Sequence, residues 1–299
     1  MLFGEKNDII THMKGGCYTV KKICKILLSA AGLAVCLEAA NRAIFAAAQR
    51  SARPAARFAQ HIYKWKFGRI RYITAGDEAL PPLLLVHGVG VGAGLHEWEA
   101  SIEALSKHYR VYTLDLLGFG ASEKTALTVS SYLYAVLIND FISCVIKEDA
   151  FVVANNMSCS FAAVASQLSP ANFTKFLFIS PYAVTPPHPC AKQAWLKKLL
   201  ECPVVGTSIY LAMSARCALQ ARGLNGRKAD VFYTAAHLGG ANARYPLASL
   251  LTGFLYIDTK RALGMVTHPV KYLWADGTRL YPHADEPKAL YHACRQFFR

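Results

Sequence analysis

Four stretches of this chain are dominated by apolar residues: "LLLV" from Leu83, "VYTL" from Val111, broken only by Thr113, "FVVA" from Phe151 and "FLFI" from Phe176. A strand with one face in water alternates apolar and polar residues, so an unbroken run marks a strand covered on both faces. Between the runs lie segments of helical period. "HEWEASIEALSKHY" puts Trp98, Ile102 and Leu105 on one helix face, and "YLYAVLINDFISCVIKE" and "CSFAAVASQLS" also read as helices. Buried strands alternating with helices specify an α/β fold with a mostly parallel central sheet and helices on both faces. Ahead of them, "KWKFGRIRYITAG" alternates and reads as a hairpin turning at Gly68.

With 299 residues, 54% of them hydrophobic, the chain can bury one large core with an inserted subdomain. Its formal charge of +14 is unevenly spread. Residues 1–75 hold 13 Lys/Arg against 3 Asp/Glu, and the remainder is close to balanced. The excess is thus a terminal feature, without aromatics placed to stack on bases, and nucleic acid is not an expected partner. The 9 cysteines form no C-x-x-C pair and no zinc-type cluster with histidine. They read as reduced, small apolar residues, which favours a domain facing the cytoplasm.

Residues 1–60 form a basic, apolar arm. Ile26 to Leu37 is uncharged, Glu38 and Arg42 interrupt at i, i+4 spacing, and Ala-rich sequence runs on to Ala48. Three readings stand: a membrane anchor or interfacial helix flanked by Lys21, Lys22, Lys25 and Arg50, Arg53, Arg57; a signal segment with a weak cleavage motif at Ala46; and an amphipathic helix packed on the domain. The first leads, so the chain is expected at a membrane surface. Pro54 then breaks any helical continuation.

"LLLVHGVGVG", "VYTLDLLGFGASEK" and "KFLFISP", in that order, resemble the N-terminal half of the α/β-hydrolase fold. The likeness covers about residues 64–182 and returns more weakly at 266–299. It divides the chain into the arm (1–60), a first part of the core (61–182), an inserted helical lid (183–265) and a shortened last part (266–299). It further resembles a group of bacterial single-domain hydrolases with an N-terminal apolar arm. The resemblance implies a small-molecule substrate and neither metal nor organic cofactor.

In that fold a serine sits on a sharp strand-to-helix turn within Gly-x-Ser-x-Gly. Here the segment is "FVVANNMSCSFAAVAS", and two registers fit. In one, Asn156-Met157-Ser158-Cys159-Ser160 replaces the motif and Ser158 attacks. In the other, Asn156 holds the nucleophile position and no attack is available. The narrower resemblance favours Ser158, with Asn156 and Ser160 as turn formers; the rival role for both serines is helix capping. The oxyanion hole would be the N–H groups of Val89 and Cys159, with His87 and Gly88 shaping the loop. Asp115 reads as structural.

The base and its orienting acid should follow the serine in chain order. The resemblance points to Asp276 after "VKYLWAD" and His283 in "PHADEP". Both are out of register, because the family's positions align with Thr278 and Leu280, and a strand that separates them is missing. His268 and His237 are fallbacks. The expected function is therefore hydrolysis of an ester or related acyl bond of a small apolar substrate through Ser158, His283 and Asp276. The alternative is an inactive binding or scaffold protein of the same fold at the membrane.

Overall fold

The computed structural model describes residues 25, 28–47, 58–181, 191–225, 240–274 and 286–299. Contacts divide the chain into a unit Met1–Ile44 and a larger unit Phe45–Arg299.

Among its described residues, the larger unit is built on a seven-stranded sheet. Its strands are β1 (Ala59–Trp65), β2 (Gly68–Ala75), β3 (Pro82–Val86), β4 (Arg110–Leu114), β5 (Ala150–Asn155), β6 (Phe173–Ile179) and β7 (Val270–Leu273). Their order across the sheet is β1-β2-β4-β3-β5-β6-β7. β1 and β2 form the expected antiparallel hairpin, closing at Trp65 opposite Gly68, and β2 runs antiparallel to β4. From β4 to β7 every pair is parallel.

The uninterrupted runs do what their composition requires. Leu84 and Val86 of β3 enter one apolar cluster with Val152, Phe176 and Phe178. Leu83 and Leu85, one residue out of phase, enter the cluster on the opposite side with Val153 and Leu177. Helix α1 (Leu28–Ala47) belongs to the arm. In the larger unit, α3 (Ser131–Phe141) and α4 (Ser158–Leu168) bring Tyr134, Phe141 and Phe161 to the first cluster. Helices α2 (Glu99–Leu105) and α9 (Pro287–Phe297) bring Ile102, Leu290 and Cys294 to the second. Burying one such side chain is worth ~2 kcal/mol, so both faces stabilise the sheet strongly.

Among the described residues, four helices lie between β6 and β7 in sequence: α5 (Ala191–Glu201), α6 (Val205–Asn225), α7 (Arg244–Leu251) and α8 (Thr259–Gly264). α5 packs on α6 and α7, and α8 packs on α4. This is the stretch expected to be a helical insert. The strand expected to be missing between the acid and base positions falls in residues 275–285, outside the described residues.

Candidate functional site

The parallel strands end at one edge of the sheet, where the loops after β3 and β4 and the turn after β5 meet. In open α/β sheets that edge carries ligand sites. The turn after β5 is abrupt. Asn155 closes the strand, Asn156 has φ 55°, and α4 begins at Ser158. A non-glycine residue at positive φ is costly, and Asn bears it better than most. The Asn156 N–H donates to the Ile179 carbonyl at 2.9 Å, which ties the turn to the end of β6. From Val152 to Phe161 every residue is buried except Asn156, which is partly exposed.

Ser158, expected as the attacking residue, is placed differently. It is the first residue of α4, it is 0% exposed, and its hydroxyl donates to the His87 carbonyl at 2.6 Å. The serine pins the helix start to the loop after β3. Ser160 is also buried, and its hydroxyl donates to Thr259 Oγ1 at 3.0 Å, joining α4 to α8. Neither serine makes the N-cap bond that was its rival reading, since the residue at the cap is Met157 and no side chain caps the helix.

Cys159, expected to offer an oxyanion donor, spends its N–H on the Asn156 carbonyl at 3.2 Å. Its thiol is fully buried, lies 3.2 Å from the Ala154 carbonyl, and is pushed above the usual thiol range by burial. Two other amides are better situated. Neither the Val89 nor the Met157 N–H donates to another described residue. Their chain neighbours Gly88 and Asn156 touch: a Cβ on Gly88 would lie 3.4 Å from the Asn156 Cβ. The same Cβ would lie 3.1 Å from the Asn155 Nδ2, so a side chain at Gly88 would press on the Asn155 amide.

His87 is 0% exposed. Its Nε2 accepts the Leu116 N–H at 2.9 Å, so Nδ1 carries the ring proton, directed at the Gly88 carbonyl 2.6 Å away. Both nitrogens are engaged in holding the loops. Asp115 organises the β4 loop as expected. Its carboxylate accepts N–H groups from Leu95 at 2.7 Å and Ala121 at 2.8 Å, with Arg71 at 3.7 Å. Sequence reasoning missed Glu97, a buried carboxylate that accepts both the Gly88 N–H at 3.1 Å and the Asn155 side-chain amide at 3.0 Å. It clamps the β3 loop to the end of β5. The one sequence signal for it was its place beside Trp98 on the turn Leu95–Trp98.

Asp276, His283, Thr278, Leu280 and His237 lie outside the described residues. His268 precedes β7, at the end of the sheet opposite the site, and its Nε2 lies 3.1 Å from the Pro170 carbonyl. Among the described residues, no group of three or more His, Cys, Asp or Glu is arranged to hold a metal ion. Next to the β3 loop lies a partly open pocket. Gly90 to Ala93 and Gly118 to Gly120 form one wall, and Tyr210, Leu247 and Leu250 from α6 and α7 form the other. Among the described residues, no charged side chain lines it. Burial pushes the Tyr210 phenol up to about 12, so it presents a neutral ring. Asn156 and Ser158 are not among the lining residues.

A parallel sheet flanked by helices, with a strained turn between β5 and α4 facing a glycine-rich β3 loop, defines the α/β-hydrolase class. The α/β-hydrolase fold family model matches residues 81–200 of the chain. Over 73 residues it is 37% identical to 2-hydroxy-6-oxo-6-(2'-aminophenyl)hexa-2,4-dienoic acid hydrolase of Metapseudomonas resinovorans, covering 24% of each chain. Over 197 residues it is 25% identical to pimeloyl-[acyl-carrier protein] methyl ester esterase of Aliivibrio fischeri, covering 63% of this chain and 72% of that protein. The solved epoxide hydrolase CorEH superposes with a TM-score of 0.63 at 18% identity, over 81% of this chain and 99% of the other. The chain thus matches about a quarter of the length of the first of these curated relatives, and all three are named as hydrolases or an esterase.

Proposed function

We propose that this chain binds a small, neutral, carbonyl-bearing ligand at the C-terminal edge of its sheet and does so without forming an ester to serine. The ligand's carbonyl oxygen would sit on the Val89 and Met157 amides, and its apolar part would extend toward the neighbouring pocket. One observation carries this reading: the strained turn position belongs to Asn156, while the Ser158 hydroxyl is buried and donated to His87. An amide nitrogen is a poor nucleophile because its lone pair is delocalised into the carbonyl. It remains a good hydrogen-bond partner, with two donors and an acceptor. The relatives' names, a methyl ester esterase among them, support carbonyl compounds as the ligand class.

A second reading is hydrolysis of a small ester, favoured by those same names. It would require Ser158 to release the His87 carbonyl and meet a base, with His283 and Asp276 the candidates. The two readings separate cleanly. The folded chain should show no labelling by a fluorophosphonate probe and no p-nitrophenyl butyrate turnover above buffer. On titration with 2-octanone, the Val89 and Met157 amide resonances should shift together. Labelling that disappears in Ser158→Ala would establish the esterase, and unmoved amides would remove the binding site.

A further inference from the structure

We propose that helix α1, Leu28–Ala47, crosses a lipid bilayer as a single span. The helix has 20 residues, which at 1.5 Å per residue gives ~30 Å, the thickness of a hydrocarbon layer. Length alone does not separate a span from a surface helix or a packed one; the distribution of exposed apolar side chains does. Leu28 is 72% exposed and Val35 69%, and their spacing of seven puts them on one face. Leu33 is 70% exposed and shares the other side of the helix with the exposed Leu37 and Ile44. A soluble partner, or a second copy of the chain, covers one stripe of a helix. A helix lying in the headgroup region likewise buries one face and wets the other. Apolar side chains presented on opposite faces are covered together only by a medium that surrounds the helix.

The charges fit the same arrangement. Within Leu28–Ala47 the only charged side chains are Glu38 and Arg42. They meet at 2.9 Å across one helical turn, so the pair enters lipid without net charge. In sequence, Lys21, Lys22 and Lys25 precede Leu28, and Arg50, Arg53 and Arg57 follow Ala47. Basic side chains at both ends suit the phosphates of both membrane surfaces. Asn41 and Phe45, near the C-terminal end, are buried, and Phe45 packs with Tyr210, Leu211 and Leu247; the lipid-facing surface is therefore the rest of the helix's circumference, which carries Leu28, Leu33, Val35, Leu37 and Ile44.

The experiment uses the full chain expressed in a bacterial host. Membranes are washed with alkaline carbonate, which strips surface-bound proteins. The full chain should remain in the pellet, and the double variant Leu33→Lys/Val35→Lys should lower the pelleted fraction by about tenfold or more. Circular dichroism of the soluble variant should match a folded α/β protein, which separates loss of the span from misfolding. Cys36 lies mid-helix and is exposed, as is Cys144 in the larger unit. With Cys17, Cys24, Cys190, Cys202 and Cys217 replaced by serine, N-ethylmaleimide should modify Cys144 but not Cys36 in membrane sheets, and both after denaturation. Release by carbonate, equal reaction at the two thiols, or a purified chain whose mass lacks the arm would each overturn the span. None of these outcomes depends on the ligand or chemistry of the sheet-edge site.

Discussion

Replacing Ser158 by alanine should damage stability and leave chemistry untouched. The hydroxyl donates to the His87 carbonyl at 2.6 Å, and both residues are 0% exposed. Alanine removes the donor and leaves a void the size of one oxygen, too small to admit a replacement water. The substitution therefore loses a hydrogen bond worth ~1 kcal/mol and strips the donor from a buried acceptor, together ~1–3 kcal/mol. For a domain of this size that lowers the thermal midpoint by ~2–8 °C, and it moves the urea midpoint down without changing the slope. The assay is urea unfolding followed by tryptophan fluorescence, with 2-octanone binding measured on the folded variant. Binding should persist within about threefold, because the proposed carbonyl donors are Val89 and Met157 rather than Ser158. If Ser158→Ala is as stable as the parent yet loses a measurable esterase activity, the hydroxyl is a nucleophile and its assignment as a structural pin is wrong.

Three further outcomes follow from the same geometry. At φ 55°, Asn156→Gly should be neutral or slightly stabilising, whereas Asn156→Val should cost ~1–2 kcal/mol in urea unfolding; equal stability of the two would refute the left-handed turn. A Cβ at Gly120 would lie 2.0 Å from Asp115 Oδ1, so Gly120→Ala should lower stability by ~3 kcal/mol or more, and an unchanged midpoint would show that the β4 loop yields. Lys124 is held near the Gly120 and Ser122 carbonyls, and burial lowers its pKa to about 8. Between pH 8 and the ordinary lysine value near ~10.4, the unfolded chain binds a proton that the folded chain has released, so this residue makes stability rise with pH across that window. The rise should be absent from Lys124→Met, and a wild-type profile identical to the variant's would exclude it.

The sheet was legible because its strands are buried on both sides. Leu83 to Val86 had to be apolar at every position to serve two clusters, a pattern no half-exposed strand shows, and the alternation of such runs with helical segments marked them as strands. The site was less legible because its register turns on a backbone angle. Ser158 and Asn156 both have small residues two positions to either side or nearly so, and side-chain strings do not record φ. Position 156 declared itself only through its positive φ and partial exposure. Glu97 was illegible for a different reason. An acidic residue on a short turn reads as solvated, and it is buried here because the Gly88 N–H and the Asn155 amide need one acceptor between them. Asp276 and His283 fall outside the described residues, so the structure adds nothing to their reading.

The strained turn has a structural purpose that does not depend on a nucleophile. β5 runs between β3 and β6 toward the edge of the sheet, and α4 must then reverse to cover the face built by Val152, Phe176 and Phe178. One residue makes that reversal while its N–H still reaches the Ile179 carbonyl, which demands a positive φ. The residues two before and two after it, Ala154 and Ser158, are 0% exposed and have to be small, since the β3 loop presses on the same spot through Gly88 and the His87 carbonyl. Any residue that tolerates the left-handed region satisfies this requirement, and Asn does so without a hydroxyl. The turn and its two unspent amides are thus requirements of the fold itself, whichever residue stands at position 156. Ser158, two residues downstream, serves the same turn by donating its hydroxyl to the His87 carbonyl beneath it.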